Sequence, residues 1–271
     1  MNTTGKPLYF VHISDTHFGP DRSYARHGHQ AWPCTRDLVT LINNLPCQPD
    51  FVIHTGDVAT NPDTDAYQIA AETFSKLKMP IYYVIGNHDL AVDIQNYLPM
   101  GSYEDLGKEN GLLSYRFDMG GYRFLTIDAR APDEMDPHGL LSEAQLTIVQ
   151  DEVKSGSLPL LVFVHFPVLP INSPWFDKNM LIVNGERLHE ELLPARDRLK
   201  GVFHGHLHMT RQTIRDGLLY SCVSSSFADF AAWPEVPELH TADSRPGFNF
   251  IQLLPSGEMI IHNHTFTRPV S

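Results

Sequence analysis

The sequence predicts an α/β fold, and three observations carry that expectation. Short apolar, β-branched runs at 8–14, 51–55, 79–85 and 160–164 each stop at a polar loop, as strands buried on both faces do. Helical periodicity lies between them. Ala66, Ala70, Phe74 and Leu77 recur at helical spacings, while Leu146, Val149 and Val153 follow Ser142 and Gln145, a capping-box pair. Finally, alternating runs punctuated by glycine at 113–118 and 122–128, and again at 210–215, 218–223, 248–254 and 258–265, read as hairpins turning at Gly120-Gly121, Asp216-Gly217 and Ser256-Gly257. Strand–helix alternation argues for βαβ units and a largely parallel sheet covered by helices. The back half reads as mostly antiparallel.

The 271 residues contain 42% hydrophobic and 19% charged side chains, an ordinary globular mix that excludes disordered, collagenous and disulfide-scaffold classes. One domain over 1–271 is expected. Segments 170–193 and 227–247 look too large for simple connectors, and are expected to act as a cap or as contacts in a homodimer. The formal net charge of −12 comes without a basic stripe, so a nucleic-acid polymer is not an expected partner. Cys34, Cys47 and Cys222 form no C-x-x-C pair, which fits a reducing cytoplasm and neither a disulfide framework nor a thiolate zinc site. The first apolar run is too brief for a signal peptide, and the stretch 158–171 is broken by Pro159, His165, Pro167 and Pro170, so no membrane role is expected.

Metal-type ligands follow the strands. Asp15 and His17 come after the first, Asp57 after the second, Asn87-His88-Asp89 after the third, His165 after the run at 160–164, and His206 and His208 after 201–203. Carboxylate, imidazole and amide oxygen suit Zn, Mn or Fe, and a spacing of two in an extended loop lets Asp15 and His17, or His206 and His208, point the same way. Neighbouring glycines are expected to let the backbone turn at these points. The set exceeds what one ion takes, and a carboxylate shared between two ions is the mark of a dinuclear site, with Asp57 the natural bridge.

In this order, D-x-H, G-D, G-N-H-D, an isolated His and G-H-x-H resemble the calcineurin-like metallophosphoesterase family. That resemblance implies a four-layer αββα sandwich with mixed sheets and two metal ions per chain. It implies one ion on Asp15, His17, Asp57 and His208 and the other on Asp57, Asn87, His165 and His206. His88 would face the phosphate, with Asn87 and His206 also touching the substrate. Within the family, His165-Phe166-Pro167, Trp175-Phe176-Asp177, Asn184-Gly185 and Arg245-Pro246-Gly247-Phe248 are similar to the class III cyclic-nucleotide phosphodiesterase group, which includes glycerophosphodiesterases. Leu90-Ala91 and Val164-His165 replace an Arg and a His pair found in many members of that group, so a phosphate or sugar contact is expected to differ.

The expected activity is hydrolysis of a small phosphodiester, of cyclic nucleotide or glycerophosphodiester type, by a hydroxide shared between the ions. His88 is the expected proton donor to the leaving alkoxide, fixed and charged by Asp89. A phosphomonoesterase or protein phosphatase is the alternative, and a metal-binding module without turnover a more distant one. Other histidines read differently: His12, His54 and His204 as core or supporting residues, and His27, His29, His138, His189, His240, His262 and His264 as surface, with His240 placed to reach a substrate or a neighbouring subunit. Trp175, Phe176, Phe227, Phe230 and Trp233 read equally as a stacking platform, a dimer contact or core. Ser224–Ser226 lack the G-x-S-x-G elbow of a serine nucleophile.

Overall fold

In the computed structural model, which describes residues 5–242 and 245–269, the apolar runs pair into two sheets. The five-stranded sheet runs in the order Met259–Thr265, Gly247–Leu253, Leu8–Ile13, Phe51–His54, Ile81–Tyr83. Its last three strands are parallel, and Gly247–Leu253 runs against Leu8–Ile13. The seven-stranded sheet runs Arg211–Arg215, Leu218–Cys222, Leu199–His204, Leu160–Phe163, Tyr122–Thr126, Tyr115–Met119, Glu104–Asp105. Its four central strands, from Leu218–Cys222 to Tyr122–Thr126, are parallel. The back half is therefore mixed rather than mostly antiparallel. The helices Glu143–Ser155 and Gly185–Leu192 carry the chain back between successive strands, which a parallel pair requires.

Strands buried on both faces split their side chains between two cores. Leu161 and Phe163 meet the other sheet, whereas Leu160 and Val162 join Leu146, Val149, Leu188 and Leu192 from the two helices behind. On the opposite side Leu38, Val39 and Ile42 of helix Ala31–Asn43, with Ala66, Ala70 and Phe74 of helix Thr64–Phe74, cover the five-stranded sheet. Helix, sheet, sheet and helix thus form the αββα sandwich. Phe10 lies at the seam, stacked on Phe51 at 5.0 Å and edge-on to Phe124, Phe163 and Phe203 at 5.9 to 6.1 Å, geometries that favour aromatic pairs.

The Gly120-Gly121 hairpin forms as expected, Met119 pairing with Tyr122, as does the Ser142/Gln145 capping box. Two longer segments hold more structure than their composition shows. Helices Pro174–Asn179 and Gly185–Leu192 occupy much of 170–193, and Asp229–Ala231 pairs with His240–Ala242 inside 227–247; residues 243 and 244 lie outside the described residues. His189 departs from the surface expectation: it is buried, bonded to the Tyr220 hydroxyl at 2.7 Å and Asp216 at 2.9 Å. No helix among the described residues is long and apolar enough to cross a membrane.

Candidate metal centre

Both sheets deliver their polar strand ends to one place. Asp15 and His17 follow Leu8–Ile13, Asp57 follows Phe51–His54, Asn87 and His88 follow Ile81–Tyr83, His165 follows Leu160–Phe163, and His206 and His208 follow Leu199–His204. The sharp turning is shared between the ligands and one neighbouring glycine: Gly56 sits at φ 100°, as expected, and Asp15, His17, Asp57, His206 and His208 also adopt positive φ, between 44° and 67°, a region that Asp and His tolerate better than most side chains. Gly86 and Gly205 serve a different end. A Cβ on Gly86 would collide with the Asp57 carboxylate, and one on Gly205 with Ser14 and Asp15, so these glycines let the loops close on one another.

Each aspartate is held by one oxygen and offers the other. Asp57 Oδ1 accepts from the His88 backbone N–H at 3.0 Å, leaving Oδ2 at 3.6 Å from His17 Nε2 and 3.4 Å from His165 Nε2. Asp15 Oδ2 accepts from the His206 N–H at 3.0 Å, leaving Oδ1 at 3.4 Å from His208 Nε2. The histidines are oriented in the same way. His165 Nδ1 donates to the Thr55 carbonyl (2.6 Å), His206 Nε2 to that of Pro137 (2.9 Å) and His208 Nδ1 to that of Ala228 (2.9 Å). Each bond fixes the tautomer whose other nitrogen is free to ligate.

Asp15–His17–His208 and Asp57–His165–His206 each bring their ligating atoms within 4.8 Å of one another, as does His17–Asp57–His88. Asp15 Oδ1 and Asn87 Oδ1 are buried with no hydrogen-bond partner, a costly arrangement for acceptors unless a cation meets them. The donor set and these orphaned oxygens therefore fit metal ions. The electrostatics agree. Burial works against charge on Asp15 and Asp57, yet His208 holds Asp15, and His165 and His88 hold Asp57, well below the usual carboxylate range. Burial would lower His165, but Asp57 raises it to about 9, so the cluster attracts positive charge strongly.

Some neighbours lie beyond what the sequence motifs disclosed. Asn87 Nδ2 donates to Asp136 Oδ1 at 2.9 Å, which turns its amide oxygen to the orphaned position. Arg26, on the hairpin Ala25–Arg26/His29–Gln30, places Nη1 3.1 Å from His17 Nδ1 and both terminal nitrogens 3.4 to 3.5 Å from His88 Nε2. His27 and Gly28, both at positive φ, make the two-residue turn that presents it. The motif R-H-G-H was the available signal, as a tight turn, but nothing local says that the turn folds over a metal site.

Asp89 does not orient His88 as expected. Its buried carboxylate accepts from the backbone N–H groups of Gly86, Val58 and Ala59 and from the Tyr67 hydroxyl, tying the third strand's loop to the second's. Burial and the Asp57 charge raise it to about 6. His12, His54 and His204 are buried; His54 braces the loops, accepting from the Gly56 N–H and bonding to Thr16 Oγ1. Ser225 donates to the Asp15 carbonyl at 2.8 Å, and burial pushes the Cys222 thiol up, neither of which favours a nucleophile.

The centre opens into a cavity of about 280 Å³ walled by Arg26, His88, Asp136, Trp175, Met180 and Phe230 among others. The aromatic residues divide: Trp175 and Phe230 face this cavity, Phe176 is core, Phe227 packs edge-on against His17, and Trp233 is 61% exposed. A larger cavity of about 530 Å³ beside the hairpin, lined by Arg22, Trp32 and Arg268, contains none of the ligating residues.

Fold and centre together define a metallophosphoesterase with a histidine–aspartate cluster suited to metal ions. Residues 8–210 match the calcineurin-like phosphoesterase family, and the chain belongs to that family. It is 28% identical to a glycerophosphodiester phosphodiesterase of Enterobacter lignolyticus over 208 residues, 76% of this chain and 73% of that one. It is 24% identical to a 3',5'-cyclic-nucleotide phosphodiesterase of Nostoc sp. over 257 residues, 93% and 90% of the two chains. A dimetal phosphatase from Danio rerio has the same fold, with a TM-score of 0.67 at 17% identity, covering 97% of this chain and 99% of that one.

Proposed function

We propose that this protein is a metal-dependent phosphodiesterase acting on a small diester of the cyclic-nucleotide or glycerophosphodiester kind. The observation that carries the reading is Asp57 Oδ2, placed between His17 Nε2 and His165 Nε2 where one carboxylate oxygen can serve two ions. Asp15, His17, Asp57 and His208 would hold one ion, and Asp57, Asn87, His165 and His206 the other. When bound, a pair of Fe, Mn or Zn ions supplies Lewis acidity toward phosphate oxygens and water.

The chain's own residues do the rest. His88, half-buried at the cavity wall with its backbone N–H tied to Asp57, donates a proton to the departing alkoxide, a step worth about 10²–10⁴-fold. Asn87 and His206 touch the phosphate beside their ions. Trp175, Met180 and Phe230 give the wall an apolar part suited to the organic group of a diester. The relatives named as glycerophosphodiester and cyclic-nucleotide phosphodiesterases support this substrate class.

One domain spanning the chain is supported by a core that draws on both sheets. A cytoplasmic location is supported by free Cys34, Cys47 and Cys222, and a homodimer contact by Val183 and Trp233, exposed on the two long segments. Gel filtration at the monomer mass removes the dimer.

The decisive experiment reloads metal-stripped protein with Mn, Fe or Zn and compares cyclic AMP, a glycerophosphodiester and a simple phosphomonoester. Metal-restored cleavage of a diester well above the monoester is expected. Preference for the monoester would establish a phosphatase instead, and two bound ions without any turnover would leave a binding module.

A further inference from the structure

His17 is the exception among the ligating histidines. His165, His206 and His208 each give one nitrogen to a backbone carbonyl, an acceptor that leaves the other nitrogen to face an ion. The second nitrogen of His17 instead meets a donor, Arg26 Nη1, at 3.1 Å. A guanidinium has no acceptor atom and stays charged, so His17 Nδ1 must accept and Nε2 must carry the proton. Nε2 then donates to His208 Nε2, 3.1 Å away, which is free to accept because His208 Nδ1 is the nitrogen bonded to Ala228.

A neutral imidazole ligates through its unprotonated nitrogen. If His17 binds an ion through Nε2, the atom that faces Asp15 and Asp57, its proton moves to Nδ1 and confronts Arg26 donor to donor. The Arg26–His17 bond and ligation by His17 are therefore alternatives. Arg26 then keeps only its longer contacts to the His27 and His88 rings, at 3.3 to 3.5 Å. Its recorded contacts are the imidazoles of His17, His27 and His88, and among the described residues no carboxylate lies within ion-pair distance of it. It is half-buried in the cavity wall, between His17 and His88, where full hydration is denied to a cation that lacks a counter-ion.

We infer that Arg26 is the anion-binding residue of this site, released from His17 when an ion is held there and then bound to a phosphate oxygen of the ligand. A guanidinium suits this role because it offers paired donors to phosphate. The inference rests on the proposed function for the identity of the anion, a phosphate ester, but its test does not depend on turnover.

Two measurements decide it. In protein carrying Zn, long-range ¹H–¹⁵N spectra should show His17 protonated at Nδ1, whereas metal-stripped protein should show the proton at Nε2; an unprotonated Nδ1 in the Zn form overturns the release. Inorganic phosphate titrated calorimetrically into ion-loaded protein should bind at least tenfold more weakly to Arg26→Ala than to the parent, with partial recovery in Arg26→Lys and the same number of ions in all three. Phosphate affinity within twofold of the parent's, or loss of an ion from Arg26→Ala, overturns the anion-binding role. If phosphate binding behaves as expected while no diester is cleaved, the phosphodiesterase reading fails and Arg26's role stands.

Discussion

Asn87 Nδ2 donates to Asp136 Oδ1 at 2.9 Å, and this one bond decides which end of the Asn87 amide faces the metal centre. Without it the amide could turn and present NH₂, a donor that repels a cation. Asp136→Ala should therefore weaken binding of the ion assigned to Asp57, Asn87, His165 and His206 by about 10–100-fold, the usual effect of losing a partner that orients a ligand. Metal titration followed by elemental analysis checks this. An unchanged affinity would show that Asn87 is oriented without Asp136.

His88 lines the cavity wall, and its contacts to Arg26 through Nε2 are long, at 3.4 to 3.5 Å, so the ring is proposed to exchange them for a leaving group. His88→Ala should lower kcat by about 10²–10⁴-fold while both ions remain. Because His88 also belongs to a cluster with His17 and Asp57, loss of an ion from the variant would make it a ligand instead.

Phe10 fills the seam between the sheets and touches aromatic rings from both. Phe10→Ala should destabilise the protein by about 3–5 kcal/mol, the range for deleting a buried Phe. Urea unfolding of parent and variant measures it, and a loss below 1 kcal/mol would mean that the seam collapses around the gap.

His12 supplies a pH-dependent element of stability. It is fully buried between the sheets against Phe203 and bonded to Thr55 Oγ1, and burial, helped by His204, lowers its pKa to about 3. The unfolded chain takes up a proton near pH 6.5 and the folded chain does not. Its contribution is therefore fully present above pH 6.5 and is lost as pH falls toward 3, by about 2 kcal/mol at pH 5. Between pH 7.5 and 5, His12→Gln should lose about 2 kcal/mol less stability than the parent. Equal losses in denaturant titrations would remove His12 as the cause.

The candidate ligands were legible in the sequence because a polar residue at the end of a buried strand has few places to go. Asp15, His17, Asp57, Asn87, His165, His206 and His208 each announced themselves by that position, and order along the chain then pointed to a shared centre. Asp89 misled for the same reason. Lying next to His88, it read as that ring's partner, but successive side chains in a tight loop diverge, and its carboxylate instead collects N–H groups from the Asp57 loop.

The sequence by itself thus determined the strand–helix alternation, through periodicity, and the candidate ligand set, through strand-end chemistry, while the αββα layering followed from the family resemblance that those motifs carry. Only the tertiary structure decided how each ring is turned, because orientation depends on partners remote in the chain: Thr55 for His165, Pro137 for His206, Ala228 for His208 and Asp136 for Asn87. The parallel centre of the second sheet was hidden likewise, since strand direction depends on how intervening helices and edge strands return the chain rather than on side-chain alternation. Arg26 shows the limit most clearly. Nothing in its neighbourhood marks it as functional, and it reaches His17 and His88 because a two-residue turn folds back over loops from other strands. Hydrophobic pattern is local and repeats along the chain; a hydrogen bond between distant residues is set only when the layers have packed.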